Sequence, residues 1–395
     1  MRSSGKQAAK GTPARRTFAG SSAVVVAFTY VGTVVGAGFA SGQEVLQFFT
    51  AQGRAGLLAM AVAALLFGWV GTSIMAYGRK LDARSHWPVI RHVAGSRLGR
   101  LLDAIISFFL LGTTAAMVSG AGAIAYEQFG VSRWLGGLLL TATAVITVLA
   151  GVRRVIDSIS MIAPFLLFAV VGIAVLAIAT APDPARAVAR AFTVSPRSDS
   201  PVAPATLQSL RQLSALGPLL QFLGSWVWLV ACLLYVAYNI VLSISVLGPL
   251  GDEAASRQAV TWGGYLGGLA LIGGVFAIQA AMLALLSAGD LARLDIPMLG
   301  VARRISPVVA IVYTFILVAE IYTTAVASLY GFAARLSEGR SDRFHLAVLG
   351  SGVLAGAAAG VGFAEVVGTI YPLMGVAGLV VVTAVIQQRF KDALS

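Results

Sequence analysis

The sequence predicts an all-α polytopic membrane protein with about ten transmembrane helices, arranged as two halves of five. Of its 395 residues, 58% are hydrophobic and only 11% are charged, whereas a soluble domain carries about 25% charged residues. Apolar stretches near the length of about 20 residues that a helix needs to cross a bilayer recur along the chain. A long polar interval in the middle separates five such stretches from five others.

The ten apolar stretches are called spans 1 to 10 in chain order. They cover residues 19–50, 56–78, 102–127, 134–151, 157–181, 219–248, 261–287, 305–335, 344–362 and 365–388. Spans 1, 6 and 8 are too long for one straight crossing, so we expect them to be broken, tilted or extended. Residues 19–388 would form one transmembrane domain between a disordered basic tail, 1–18, and a short C-terminal tail, 389–395.

The distribution of basic residues predicts the orientation. About two thirds of the 28 Lys and Arg residues lie on the same side as the N-terminus, which places both termini on the cytoplasmic side of a plasma or inner membrane. Loop 182–218 separates repeat 19–181 from repeat 219–388. Because each half has an odd number of spans, the second repeat crosses the membrane in the opposite direction to the first. Such inverted repeats are typical of transporters whose substrate site lies near the bilayer midplane.

The outer loop 182–218 contains six prolines, so most of it is expected to be irregular. Within it, four leucines recur every three residues and predict a short surface helix, at Leu207, Leu210, Leu213 and Leu216.

Several functional classes are disfavoured by composition. With three His and one Cys, Cys232, we expect no zinc site, disulfide or other cofactor. No acid, base and nucleophile converge in the sequence, so we do not expect an enzyme. The net charge is +12, and the basic residues lie between the apolar stretches. This position favours a role in membrane orientation and lipid headgroup contact over nucleic-acid binding.

Span 1 contains the sequence GTVVGAGFASGQE, from Gly32 to Glu44, where a helix in lipid should be uninterrupted. We expect a break at Gly36-Ala37-Gly38, because glycine tolerates unusual dihedral angles and lets a ligand approach the backbone. Ser41 and Glu44 then fit the S-x-x-E pattern of a capping box that opens a second half-helix. Its N-terminus would favour a substrate carboxylate, and the first half-helix would offer carbonyls to a cation.

Alternatives remain open for this stretch. Gly32 and Gly36 could instead form a GxxxG packing face in an unbroken helix. Glu44 could be a cap only, or it could titrate or contact substrate.

Polar residues also occur inside three other spans. Span 8 contains Glu320, Thr323 and Thr324, span 6 contains Tyr235, Tyr238 and Asn239, and span 3 contains Thr114. The threonines could simply bond back to their own helix carbonyls. Asn239 could serve helix packing alone. A carboxylate at the depth of Glu320 is costly, which is typical of functional positions.

The stretch GAGFASGQE, followed after three further residues by Phe48 and Phe49, resembles the signature of the YkvI-like family of bacterial membrane proteins. That family belongs to the amino acid–polyamine–organocation superfamily, with its LeuT-type inverted-repeat fold. The resemblance covers about residues 19–388. It implies that span 6 unwinds opposite the span 1 break, although this sequence has no glycine between Gly224 and Gly248.

The resemblance also implies a sodium site between spans 1 and 8. Backbone carbonyls of Gly32, Val35 and Glu320 and the hydroxyls of Thr323 and Thr324 would hold the ion. The Glu320 side chain departs from the family pattern and leaves proton coupling open.

The sequence therefore predicts a secondary active symporter, coupled to Na⁺ or alternatively H⁺, for an amino acid or similar carboxylate-bearing solute. Glu44 and Glu320 are the candidate coupling carboxylates. Alternatives are a transporter of an amine, a quaternary ammonium or a nucleobase, or a membrane solute sensor that does not transport. The candidate substrate-binding residues are Gly36, Ala37, Gly38, Phe39, Ser41, Tyr235, Tyr238, Asn239 and Thr114.

Overall fold

A computed structural model describes residues 22–83, 86–150, 168–193, 226–337 and 340–394. The regular elements in these ranges are helices, which confirms the all-α polytopic membrane fold. Within the described ranges, six helices are long and apolar enough to cross a bilayer. They are Ala55–Lys80 in span 2, His86–Phe129 in span 3, Val227–Glu253 in span 6, Arg257–Leu285 in span 7, Pro307–Ser337 in span 8 and Phe363–Leu394 in span 10.

Shorter helices occupy the remaining spans. They are Ala23–Val34 in span 1, Arg133–Leu149 in span 4, Phe168–Thr180 in the described part of span 5 and Ser341–Gly356 in span 9. In span 1 the chain continues as Ala37–Ser41 and Gln43–Phe48. We call Ala23–Val34 half-helix 1a and residues 37–48 half-helix 1b.

Span 2 packs against spans 6 and 7 through glycines that allow the backbones to approach closely. A Cβ atom at Gly78 would overlap the backbone of Gly248, and one at Gly251 would overlap the backbone of Met75. In lipid, such close packing replaces the hydrophobic effect as the force between helices. These glycines therefore fix spans 2 and 6 together.

Polar contacts gather at two opposite ends of the bundle. At one end, called the Arg335 end, Arg335 Nη1 lies 2.8 Å from Asp103 Oδ1 and Lys80 Nζ lies 3.3 Å from Asp392 Oδ2. At the other, called the Asp295 end, Asp295 accepts from Arg133 and, at 3.0 Å, from the amide of Ala364. These groups join loops that alternate along the chain, as successive crossings require.

The connecting segments differ from the prediction in two places. Residues Pro184–Thr193 form a helix, bent by 118° from Phe168–Thr180, where the sequence indicated irregular chain. Phe192 packs its ring 5.2 Å from that of Phe276 on span 7, so a tertiary contact holds this segment. The span 10 helix also continues to Leu394, through the predicted tail. The N-terminal tail and the predicted helix at Leu207–Leu216 lie outside the described residues.

Candidate substrate and ion site

Span 1 is broken, as the sequence predicts, but the break lies slightly earlier. Half-helix 1a ends at Val34, Val35 is extended with ψ 114°, and Gly36 has φ −131° and ψ −173°. The helix resumes at Ala37, so Ala37 and Gly38 are already helical. A residue of any type adopts the backbone of Gly36, so its glycine is not required by conformation.

The alternative of a GxxxG packing face is wrong. A Cβ atom at Gly32 or Gly36 would meet nothing within 4 Å, whereas a packing glycine would meet a neighbouring helix. Both glycines border open space instead.

The predicted capping box is also wrong. Half-helix 1b begins at Ala37 with Gly36 as its N-cap, and Ser41 lies at the end of its first part. The Ser41 hydroxyl donates back to the Gly38 carbonyl at 2.7 Å and accepts from the Gln43 amide at 3.2 Å, rather than from that of Glu44. Gly42, with φ +84°, divides half-helix 1b. That left-handed conformation suits glycine.

A cavity of about 400 Å³ lies beside the break, within the size range of small-molecule sites. It extends from the centre of the bundle to His86, Arg335 and the exposed Ser245, so it opens toward the Arg335 end. Residues from spans 1, 3, 6, 8 and 10 line its inner part, namely Gly32, Val35, Gly36, Ala37, Gly38, Glu44, Thr113, Tyr238, Asn239, Glu320, Thr323, Thr324 and Tyr371.

Glu44 lies at the closed, central part of this cavity and is 5% exposed. The Tyr238 hydroxyl donates to its Oε2 atom, and its other oxygen lies so close to Gly38 that a Cβ there would overlap it. The Tyr238 ring packs 5.1 Å from Tyr371 and 5.8 Å from Phe48. Gly38 thus makes room for a carboxyl group that is otherwise surrounded by aromatic rings.

Glu320 lies where span 8 faces the same cavity and is 6% exposed. Thr323 donates to the Glu320 backbone carbonyl at 3.0 Å, which is the back-bonding considered as an alternative for this residue. The Thr324 side chain bonds the Glu320 carboxyl. Among the described residues, the buried Glu320 Oε2 has no hydrogen-bond partner, which is costly unless a ligand supplies one.

Four of the predicted substrate residues do not line the cavity. Phe39 is buried against Gly274 of span 7, and Ser41 bonds within half-helix 1b. Tyr235 packs among other aromatic rings, 4.8 Å from Phe49. Thr114 bonds Ser328 at 2.9 Å and the Leu110 carbonyl, so it connects spans 3 and 8.

Span 6 is not broken. A single helix runs through Val227–Glu253, which corrects the unwinding implied by the family resemblance. The absence of glycine in its middle agrees with this result. Asn239 Nδ2 donates to the Tyr235 carbonyl one turn earlier, at 3.0 Å, while the residue also borders the cavity.

Two polar residues of the cavity, Thr113 and Tyr371, were not among the predicted site residues. Thr113, rather than Thr114, lines the cavity, and in the described part of the chain its buried hydroxyl has no partner. Adjacent helical residues are about 100° apart, so only one of the two faces inward. Tyr371 comes from span 10, next to Pro372 inside the helix.

Solved structures with a similar fold are membrane transporters. The inward-facing conformation of Mhp1 matches with a TM-score of 0.57 and 14% identity, over 92% of this chain and 75% of that chain. MhsT in complex with L-phenylalanine matches with a TM-score of 0.57 and 15% identity, over 89% of this chain and 87% of that chain. A substrate-bound Na⁺-coupled sialic acid symporter matches with a TM-score of 0.55 and 12% identity, over 92% of this chain and 78% of that chain. The chain therefore has the LeuT-type fold of membrane transporters.

The chain is also similar in sequence to curated membrane proteins. It is 28% identical over 372 residues to the uncharacterized membrane protein YkvI of Bacillus subtilis (strain 168), over 93% of this chain and 96% of that protein. The uncharacterized protein YyaD of the same organism is 25% identical over 349 residues, over 88% and 91%. No family model matches. The similarity to YkvI supports the resemblance found in span 1, and the superfamily assignment stays a prediction.

Proposed function

We propose that this chain is a secondary active transporter of a bacterial inner membrane that carries a small carboxylate-bearing solute, with an amino acid as the first candidate. The observation that carries the proposal is the cavity beside the span 1 break. It brings together unpaired helix ends, two buried carboxyl groups and a pair of threonines.

The backbone at the start of half-helix 1b supports a carboxylate-bearing solute. The first amides of a helix have no intrahelical partner, and no side chain caps those of Ala37 and Gly38. Because the first part of half-helix 1b is only five residues long, direct hydrogen bonds rather than a helix dipole would hold the carboxylate. The likeness to MhsT, a structure with bound L-phenylalanine, agrees with this choice of solute.

We assign the coupling ion as Na⁺, with H⁺ as the alternative. The end of half-helix 1a frees the Gly32 carbonyl, because Gly36 no longer donates to it. The Gly32, Val35 and Glu320 carbonyls with the Thr323 and Thr324 hydroxyls would offer only oxygen ligands, and all five residues border the one cavity. The buried, unpartnered Glu320 oxygen fits a cation at this place.

The cavity opens toward the Arg335 end, which the basic residues assign to the cytoplasm. We therefore interpret the conformation as inward-facing, with both termini cytoplasmic. Toward the Asp295 end, Gln43 Nε2 donates to the Leu294 carbonyl at 2.8 Å and Gln47 Nε2 to the Ala364 carbonyl at 2.9 Å. Outward opening would break these bonds as one helix bundle rocks against the other.

The test is the thermal stability of the purified full-length protein with each L-α-amino acid, with and without Na⁺. A ligand that binds the folded state raises Tm. We expect one chemical group of amino acids to raise Tm, and to need Na⁺ for it. A rise that follows pH and ignores Na⁺ would replace sodium by proton coupling, and no rise with any amino acid would contradict the proposal.

A second candidate is a transporter of an amine or quaternary ammonium on the same fold. The aromatic rings of Tyr238 and Tyr371, which line the cavity with Glu44, favour it, because such rings attract cations. Uptake of the stabilising solute into proteoliposomes separates both candidates from a sensor that binds without transport.

A further inference from the structure

The Glu44 carboxyl has no positively charged partner in the described structure. Hydrogen bonding by Tyr238 is the interaction that stabilises its charge, and the titratable groups facing it are the phenols of Tyr235 and Tyr238 from span 6 and Tyr371 from span 10. The basic residues of the same cavity, His86 and Arg335, lie at its open end and contact Asp103 instead. A buried carboxylate needs a counter-charge or a proton.

The surroundings of Glu44 decide which cation it can take. A bare metal ion such as Na⁺ requires several oxygen ligands, but only the Tyr238 hydroxyl supplies an oxygen bond to Glu44 among the described side chains. The aromatic rings of Tyr238 and Tyr371 line the same cavity as Glu44. Rings and a carboxylate together are the surroundings that bind an organic ammonium group.

We propose that Glu44 binds the ammonium group of the solute, and that it holds a proton when the solute is absent. This inference rests on the proposed function and narrows its solute to a zwitterion. The solute carboxylate would meet the amides of Ala37 and Gly38, and its ammonium group would meet Glu44, which packs directly over Gly38. When the ammonium group forms the ion pair, the Glu44 proton leaves through the open cavity to the solvent.

The first experiment compares analogues that differ by one charged group. For any amino acid that stabilises the protein, its des-amino acid and its decarboxylated amine are measured in the same way, for the wild type and for Glu44→Gln. We expect Glu44→Gln to weaken amino-acid binding at least tenfold, and the des-amino acid to bind weakly to both proteins. Glu365→Gln, which changes an exposed carboxyl group on span 10, is the matched control and should bind as the wild type does.

The second readout is proton release. Amino-acid binding in weakly buffered solution with a pH indicator should release protons from the wild type and none from Glu44→Gln. Stabilisation by Na⁺ alone should persist in Glu44→Gln, which shows that the variant is folded. If Glu44→Gln does not fold, Tyr238→Phe keeps the carboxyl group. Loss of the phenol donor disfavours the ionised form, so the pH dependence of binding should move to higher pH.

The outcomes separate this inference from the proposed function. Equal binding of the amino acid and its des-amino analogue, or binding without proton release, overturns the role of Glu44 and leaves the transporter proposal intact. Equal binding of the amino acid and its amine overturns the carboxylate site and keeps the role of Glu44. The absence of any amino-acid effect on the wild type overturns both.

Discussion

Glu44 on half-helix 1b and Glu320 on span 8 are two buried carboxyl groups that border one cavity, and their surroundings differ. Glu44 is held by one phenol, covers Gly38 and lies among aromatic rings. Glu320 lies beside two threonines and the free end of half-helix 1a, with one oxygen unpartnered in the described structure. Few oxygen ligands for a metal ion are therefore found near Glu44, and more are found in the part of the cavity that Glu320 borders. The difference favours an organic cation or proton at Glu44 and a metal ion at Glu320.

The largest effect is expected at Gly38, since Gly38→Val would push directly against the Glu44 carboxyl. We expect uptake of the stabilising solute to fall by roughly a hundredfold, because displacing a binding group such as the Glu44 carboxyl by even a small distance has an effect of that size. Proteoliposome uptake measures it, while Na⁺-dependent stabilisation should remain.

Gly273→Val is the matched control, because Gly273 is also helical but exposed, and its added side chain meets nothing within 4 Å. Normal uptake by Gly38→Val would show that the Glu44 side of the cavity is not the substrate site.

A second variant, Glu320→Gln, tests whether the two carboxyl groups act separately. Removing a buried ionic partner costs more than about 1.4 kcal/mol, so we expect Na⁺ affinity to fall at least about tenfold. The preference for an amino acid over its des-amino analogue should stay. The Na⁺ concentration at half-maximal thermal stabilisation measures the first quantity, and the analogue comparison measures the second. Loss of the preference with unchanged Na⁺ affinity would reverse the two assignments.

The smallest effect is expected for Thr324→Val, which removes one neutral oxygen from the Glu320 side. A neutral hydrogen-bonding group contributes about 0.5–1.5 kcal/mol, which predicts a Na⁺ affinity lower by about twofold to twelvefold. Thr314→Val is the control, because its buried hydroxyl bonds the Ala310 carbonyl on the same span and lies away from the cavity. Equal Na⁺ affinity in the two variants would place the ion elsewhere.

Five of the nine candidate substrate residues line the cavity, because the sequence signals in span 1 were local. Glycines in GTVVGAG and a carboxylate after them mark a break in span 1, and the break is present at Val35-Gly36. Thr113 and Thr114 could not be separated in this way, since the rotation of span 3 is set by its packing. Span 6 stays helical, and its lack of glycine was a better guide than the resemblance.

By itself, the sequence determined the all-helical membrane fold and the break in span 1, because hydropathy and backbone chemistry act over short distances. Only the tertiary structure decided what the Glu44 carboxyl group contacts. The S-x-x-E pattern indicated that Ser41 and Glu44 form a capping box. Instead, the Glu44 carboxyl group accepts a hydrogen bond from Tyr238, 194 residues further along the chain. A buried carboxyl group needs a hydrogen-bond donor, and for Glu44 that donor is on span 6.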